Sequence, residues 1–268
     1  MSRERAHARS VVLELLERRH GIGSKSAGVS AWMTERLDRA LDALAEDAGG
    51  SLEGALELLR TEGSRLEAIA ERLRVGETRF FRDPPQWEAL RRVALPRVGR
   101  RERVRALSVG CSTGEEAWSL AMILEDGLPR TSSYRVVGMD RSDAALERAR
   151  EGSYSSEQAA HVPSDLASRF LVKRAEGVVV EPGLRENVSF VTRDAMVGPP
   201  PGHYELILCK NLLIYFGNDA AERAVRLMLE RLSEDGILVV AKSEVPRVKA
   251  LGHRAFELAP AVVVFGAG

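Results

Sequence analysis

Apolar positions recur at helical spacing along the first part of the chain. Val11, Val12, Leu15 and Leu16 form one stripe, and Leu37, Leu41 and Leu44 form a second at i, i+4, i+7. Leu52, Leu56 and Leu59 make a third. Leu66, Ile69 and Leu73 make a fourth, opened by the capping-box pair Ser64 and Glu67. Breaks fall at Gly21–Gly28 and at Gly49-Gly50. The stripes predict an all-helical N-terminal domain over residues 1–73, with the apolar faces as its bundle core.

From about residue 84 the pattern changes. Pro84-Pro85 predicts a helix running through Val93. Apolar runs at 104–109, 134–139, 204–209 and 236–241 predict strands. Segments 115–125, 143–151 and about 219–232 predict helices, with Ser142 as the cap of the second. Val178-Val179-Val180 and Val188–Thr192 predict two further strands within an irregular stretch, 152–193, joined by Pro182-Gly183. They read as a small β excursion feeding back into the main sheet. Two apolar runs in 255–265, split by Pro260, predict an antiparallel hairpin at the sheet edge. Strands alternating with helices imply a mostly parallel sheet with right-handed crossovers.

Composition narrows the classes. The chain has 268 residues, which suits two domains, and its 44% hydrophobic content supports a core. Its 39 basic and 39 acidic residues balance, which argues against a nucleic-acid footprint. Cys111 and Cys209 sit in apolar strand-like runs, so reduced, buried thiols of the cytosol are expected rather than a disulfide. The charged start Met1-Ser2-Arg3-Glu4-Arg5 is unlike a signal peptide, and no apolar run nears the ~20 residues of a membrane span. A cytoplasmic protein without direct membrane insertion is expected. No metal-ligand cluster stands out, so no metal is expected.

The chemistry concentrates where strands end. The segment from Leu107 to Glu116 is a strand, a glycine loop and an acidic helix start, the layout that holds a nucleotide-like cofactor. Gly110 and Gly114 are four apart with no third glycine, which does not match the dinucleotide fingerprint. Glu115 and Glu116 occupy the helix start where a pyrophosphate would dock, and carboxylates there repel a second anion. A cationic, phosphate-free cofactor, S-adenosylmethionine, suits that company better. The plainer reading is that both acids are good first-turn residues, and Thr113 with Glu116 has capping-box spacing. Asp140 ends the second strand and is placed either for ribose hydroxyls or as a helix cap. Asp194-Ala195 at the third exit suits an adenine edge, and Lys210-Asn211 marks the fourth. Ahead of the sheet, residues 76–83 set Phe80-Phe81 between arginines. That segment is either an aromatic-anchored linker or a lid with Thr78 and Arg82 facing the cofactor.

Three motifs then carry a resemblance. Gly76-Glu77-Thr78-Arg79-Phe80-Phe81-Arg82-Asp83 resembles the Asn-Glu-Thr-x-Phe-Phe-Arg-Asp signature of CheR, the chemotaxis-receptor glutamate methyltransferase family. Gly110–Glu116 with Ala117-Trp118-Ser119 resembles its Gly-Cys-Ser-Thr-Gly-Glu-Glu-Pro-Tyr-Ser segment. Residues 209–216, Cys-Lys-Asn-Leu-Leu-Ile-Tyr-Phe, resemble its Cys-Arg-Asn-Val-x-Ile-Tyr-Phe. Gly152-Ser153-Tyr154 also matches. The resemblance spans about residues 10–260.

It implies a class I, Rossmann-like α/β methyltransferase domain with a mostly parallel seven-stranded sheet over 101–268. A small β-subdomain is expected at about 170–187, and a connecting segment over 74–100 after the helical domain. Thr78, Arg82, Glu115, Asp140, Asp194, Ala195, Lys210 and Asn211 would line the S-adenosylmethionine site, together with Gly76 and Gly110. Arg82 and Tyr215 would lie near the transferred methyl as catalytic residues. The N-terminal helices would meet the cytoplasmic helical bundle of a chemoreceptor, and the β-subdomain docks on a receptor's C-terminal peptide in some members.

Departures bear on this. Gly76 replaces asparagine, and a lost hydrogen bond costs on the order of 1 kcal/mol. Lys210 replaces arginine, keeping charge but losing bidentate geometry. Ala117-Trp118 replaces Pro-Tyr and is expected to repack the helix. The second helix, often strongly basic in the family, carries Arg36 and Arg39 against Glu35, Asp38, Asp42, Glu46 and Asp47. Steering toward an acidic receptor helix should therefore be poor.

The implied reaction is in-line attack of a glutamate γ-carboxylate on the sulfonium methyl. A glutamate of pKa ~4.3 needs no general base at neutral pH, consistent with five histidines that lie outside the motifs. The alternatives are a non-catalytic cofactor-binding scaffold and a class I methyltransferase with another acceptor.

Overall fold

The computed structural model describes residues 3–23, 31–73, 78–253, 255–259 and 262–266. The chain divides into two compact units, Met1–Gly76 with Ile214–Glu222, and Glu77–Leu213 with Arg223–Gly268.

The first unit is helical: α1 (Arg3–His20), α2 (Ala31–Asp47), α3 (Leu52–Thr61) and α4 (Gly63–Leu73). On α1 the buried line is Ala8, Val12, Leu16 and His20, while Val11 and Leu15 are only half-buried. A spacing of four keeps that line on one helix face. Leu37, Leu41, Leu44, Leu56, Leu59, Leu66, Ile69 and Leu73 are buried. α3 is capped by Ser51, whose Oγ accepts from the Gly54 amide at 3.2 Å. α4 begins at Gly63, so Ser64 lies inside the first turn and the expected capping box is not the start of the helix. The acids of α2 meet arginines of its neighbours: Asp42 with Arg5 at 2.5 Å, Asp38 with Arg9 at 3.0 Å and Asp47 with Arg65 at 2.6 Å. Much of the negative charge that stood out on α2 is thus neutralised inside the unit. The segment at Ile214–Glu222 joins the unit through backbone pairing: Ile22 bridges Phe216, Gly23 N donates to Tyr215 O at 3.1 Å, and Gly217 N to Gly21 O at 2.9 Å.

The second unit opens with α5 (Pro84–Ala89), one π turn over Leu90–Ala94 and α6 (Leu95–Val98), longer than the helix expected to end at Val93. The sheet strands are β1 (Arg103–Val109), β2 (Ser133–Asp140), β6 (Val188–Thr192), β7 (Tyr204–Cys209), β8 (Leu232–Val240), β9 (Ala255–Ala259) and β10 (Val262–Gly266). Their spatial order is β6-β2-β1-β7-β8-β10-β9. β6 through β8 run parallel, and β10 is antiparallel to both β8 and β9. The hairpin expected around Pro260 is β9–β10. Every residue of β7 is buried, as a strand covered on both faces must be.

The helices of this unit are α7 (Glu115–Gly127), α8 (Asp143–Glu151), α9 (Ser156–Ala159), α10 (Ser164–Phe170), α11 (Pro182–Arg185), α12 (Asn218–Leu229, shared with the first unit) and α13 (Val245–Ala250). α7 is buried almost all round, from Ala117 through Leu124. Trp118 fills the place expected to repack: its Nε1 donates to Ala149 O at 3.2 Å and its ring meets Phe190 edge-on at 5.4 Å.

The β excursion forms a separate antiparallel sheet, β3-β5-β4, from Ser153–Tyr154, Gly177–Val180 and Leu171–Arg174. Val188–Thr192 does not join it; as β6 it pairs with β2. Among the described residues no helix is long and apolar enough to cross a membrane.

Candidate active site

Strand order makes the site. The chain runs outward from β1 to β2 and β6, then returns to start β7 on the other side of β1. The crevice between the ends of β1 and β7 is where such a sheet binds ligands. Val109 pairs with Met139, Asp140 with Thr192, and Ser108 with Leu208. The four polar strand exits are therefore level and adjacent.

At the first exit Gly110 (φ 73), Ser112 (φ 50) and Gly114 (φ 96) turn the chain sharply. Gly110 N and Cys111 N both donate to Met139 O, at 2.8 and 3.1 Å. Asp140 ties this loop to the next: one carboxylate oxygen accepts from Ser112 N at 2.9 Å, the other from Ser142 N at 3.0 Å. The helix cap is Ser142, whose Oγ accepts from Ala145 N at 3.3 Å. Asp140 is half-buried and each of its oxygens keeps acceptor capacity.

The capping box expected of Thr113 and Glu116 is absent. Gly114 takes the N-cap position in a left-handed conformation. Thr113 Oγ1 donates instead to Glu115 at 2.7 Å, and Gln158 Nε2 donates to the other Glu115 oxygen at 3.2 Å. Glu115 is fully buried. Glu116 accepts from Ser108 Oγ at 2.8 Å. Burial pushes its carboxyl pKa up, and the Lys210 cation, Ser108 and Arg82 pull it back. Tyr154 on β3 donates to Thr113 O at 2.6 Å and so pins the loop from the side.

At the third exit Asp194 turns on itself, Oδ1 accepting from Met196 N at 2.8 Å, with Ala195 half-buried beside it. At the fourth, Asn211 adopts φ 58 and its amide donates to Glu244 at 3.0 Å. Glu244 also accepts from Ala241 N at 3.0 Å and is buried. Glu244 and Gln158 were missed in the sequence. The signal for Glu244 was its place just past the fifth strand, in line with the other exits.

Gly76 lies outside the described residues. From Thr78 the segment is anchored by aromatics. Phe80 meets Tyr154 edge-on at 4.8 Å, Phe81 packs on Trp87 at 5.3 Å, and Phe81 N donates to Ser119 Oγ at 3.1 Å. Among the described residues the non-glycine positions with positive φ are Phe81, Asp83, Ser112 and Asn211, and all four flank this crevice. Such conformations cost about 1–3 kcal/mol each and cluster where function over-determines them. Arg82 lines two clefts. One, of about 440 Å³, also carries Thr78, Gln158 and the exposed His161; the other, about 730 Å³, carries Lys210 and Asn211. His161 therefore reaches the site although its sequence position gave no hint. Tyr215 is buried in the turn Leu213–Tyr215 and belongs to the first unit, whereas Arg82 belongs to the second.

The donor set fits a cationic adenosine ligand. The half-buried Asp140 keeps acceptor capacity, whereas Glu115 is fully buried with both oxygens already accepting, and a Cβ at Gly110 would meet the Leu212 side chain at 3.1 Å. Neither cysteine is a reactive group, since both are buried and burial is the main cause pushing their thiol pKa values up.

A family model described as CheR methyltransferase, SAM binding domain, matches residues 76–257. The chain is 31% identical over 198 residues to an uncharacterised 104.1 kDa protein of Rhodobacter capsulatus, covering 70% of this chain and 21% of that one. It is 29% identical over 188 residues to the chemotaxis protein methyltransferase of Listeria monocytogenes, covering 69% and 71%. It is 29% identical over 253 residues to the "Probable biofilm formation methyltransferase WspC" of Pseudomonas putida, covering 90% and 58%. The chain thus spans about a fifth of the first relative and under two-thirds of the third. Among solved structures it resembles the N-methyltransferase NodS of Bradyrhizobium japonicum, with a TM-score of 0.41 and 13% identity over 70% of this chain and 86% of that one. The chain belongs to the CheR family of S-adenosylmethionine-dependent methyltransferases.

Proposed function

We propose that this chain methylates glutamate side-chain carboxylates on chemoreceptor proteins, giving γ-glutamyl methyl esters in chemosensory adaptation in the cytoplasm. The names of the Listeria and Pseudomonas relatives support a chemosensory setting. The observation that carries the reading is that Arg82, whose carbonyl is held by Lys210 and Trp87, lines both clefts, as Arg79 also does. A fixed cation shared by the two spaces suits a reaction in which a carboxylate meets a sulfonium.

We assign Gly76, Thr78, Arg82, Gly110, Glu115, Asp140, Asp194, Ala195, Lys210 and Asn211 to the cofactor. Bound S-adenosylmethionine would supply an activated methyl group. Asp140 would accept from ribose hydroxyls, and Glu115 would face positive charge. Arg82 would orient the attacking carboxylate by charge-assisted hydrogen bonds, with Tyr215 beside the methyl. The acceptor arrives ionised, its pKa being about 4.3, so His161 is not required as a base. Alignment and exclusion of water would supply the acceleration. In this division of labour residues 1–73 face the helical bundle of the receptor, 74–100 connect, and 101–268 hold the cofactor, with the β-subdomain near 170–187.

The test is methyl transfer from labelled S-adenosylmethionine to the host cell's receptor-bearing membranes, followed by base treatment. Methanol released from a receptor-sized band is the expected result. Base-stable label would assign another acceptor, and cofactor binding without any label would make the chain a scaffold. Arg82→Ala should lower kcat/KM by about 100-fold. If both Arg82→Ala and Tyr215→Phe keep wild-type kcat/KM, the catalytic assignment is wrong.

A further inference from the structure

At the opposite end of the sheet from the cofactor crevice, a cleft of about 450 Å³ lies between the end of α7, the start of β2 and the residue before β6. Tyr134 lines it and is only 6% exposed, and its buried hydroxyl completes no hydrogen bond among the described residues. A buried donor left unpaired costs stability, and structures keep few of them. Burial is the main cause raising the Tyr134 pKa and Glu125 adds to it, so the hydroxyl keeps its proton and acts as a donor. Asn187 lines the same cleft with its Oδ1 taken by Arg135, which leaves its N–H groups to offer. Glu125 sits in the last turn of α7, where the helix dipole already places negative charge. Its neighbour Asp126 is neutralised by Arg91 at 2.6 Å and by Arg169. Glu125 has no ion pair among the described residues, and Pro129, four residues on, has no N–H to give its main-chain carbonyl. Arg130 is the cation of the lining; it is exposed and also outside the described ion pairs. Leu124, Leu128 and Pro129 add an aliphatic wall.

We propose that this cleft is a second small-molecule site and that it takes a free α-amino acid with an aliphatic side chain. The ammonium is met by the Glu125 carboxylate and the negative end of α7. The carboxylate is met by Arg130 and by the Tyr134 and Asn187 donors. The acid and the base of this lining come from one helix end and the turn after it. A zwitterion answers both, whereas a simple amine or a simple acid answers one. The aliphatic side chain lies on Leu124, Leu128 and Pro129. The site uses none of the residues assigned to the cofactor or to the acceptor, so it stands whether or not the methylated group is a glutamate.

The probe is L-leucine, with 3-methylbutylamine and 4-methylpentanoate as analogues that each lack one of its charges. The full chain is first saturated with S-adenosylhomocysteine, which closes the cofactor crevice to amino acids, and binding is followed by ligand-observed NMR titration. Leucine should bind saturably, and each analogue at least about tenfold more weakly. Glu125→Gln and Arg130→Gln change exposed side chains and should each weaken leucine about tenfold, as should Tyr134→Phe. S-adenosylhomocysteine affinity should be unchanged in all three by calorimetry. Without leucine, Tyr134→Phe should keep or raise Tm, because it removes an unpaired buried hydroxyl. With saturating leucine the wild type should gain more in Tm than this variant does. A Tyr134→Phe protein that melts lower without leucine would mean that the hydroxyl is already bonded within the fold, and it overturns the proposal. Absence of saturable leucine binding, an amine or acid that binds as well as leucine, or leucine affinity that survives all three substitutions overturns it too.

Discussion

The ammonium of Lys210 lies 2.9 Å from the carbonyl oxygen of Arg82 and 4.9 Å from the centre of the Trp87 ring. Trp87 Nε1 donates to the same carbonyl at 2.9 Å. The β7 exit therefore grips the backbone of the residue assigned to the acceptor carboxylate. Asp83, next in the chain, holds φ 64, so the grip also keeps a strained turn in place. Lys210 is thus as much a clamp as a lining residue. Burial lowers its pKa, and the Glu116 carboxylate is the largest influence raising it again.

Lys210→Met keeps the stem's bulk and removes the donor. The Arg82 carbonyl retains Trp87, so the loss of stability should be about 1–3 kcal/mol. Turnover should fall further than stability, because Arg82 is no longer fixed. Urea denaturation and kcat/KM on one acceptor measure the two separately. Unchanged kcat/KM would show that the clamp does not position Arg82.

Tyr154 couples the small sheet to the glycine loop. Its hydroxyl is buried and donates to Thr113 O at 2.6 Å. Tyr154→Phe removes the donor, keeps the ring packed edge-on against Phe80 and leaves a buried carbonyl unpaired. The expected cost is about 1–3 kcal/mol of stability, with weaker S-adenosylhomocysteine binding by calorimetry because the loop before Glu115 loosens. A lower Tm with unchanged binding would confine Tyr154 to the fold.

The sheet was legible because its signal is local. β7 is buried along its whole length and reads as an apolar run interrupted by Glu205 alone, and Ser142 caps α8 by a contact three residues away. Both failed capping boxes stand beside a glycine at the helix start, Gly63 as the first residue of α4 and Gly114 as the N-cap of α7, so spacing alone misplaces them. The supports of the site were not legible. Glu244, Gln158 and Ser119 reach partners 33 to 43 positions away. No periodicity reports such a contact. The positive φ of Phe81 is equally hidden, since a phenylalanine does not favour it and only tertiary partners hold it there.

Glycine substitutions separate strain from collision. A Cβ added at Gly49 (φ 71) would have nothing within 4 Å, whereas at Gly114 (φ 96) it would lie 2.8 Å from Ala149 Cβ and 3.0 Å from the Tyr154 hydroxyl. Gly49→Ala should cost only the left-handed conformation, about 1–2 kcal/mol. Gly114→Ala adds a displaced loop to that cost and should lower cofactor affinity as well. Denaturation midpoints and calorimetry on the pair give the comparison; equal effects would mean the loop yields freely.

Glu116 should make stability depend on pH. Its carboxyl is pushed up chiefly by burial, with Lys210, Ser108 and Arg82 only partly restoring it. The folded pKa thus exceeds the unfolded value of about 4.3, and the folded state binds this proton more tightly. The resulting contribution is present in full below the unfolded value and is lost as pH rises through the folded one. Glu116→Gln cannot ionise and loses nothing over that range. The variant should match the wild type most closely near pH 4, gain on it as pH rises through the folded pKa and keep that advantage above it. Urea midpoints at several pH values measure the difference. A gap that stays flat with pH would mean that Lys210 and Ser108 offset the burial of Glu116 completely, and a gap that grows toward acid would mean that they outweigh it.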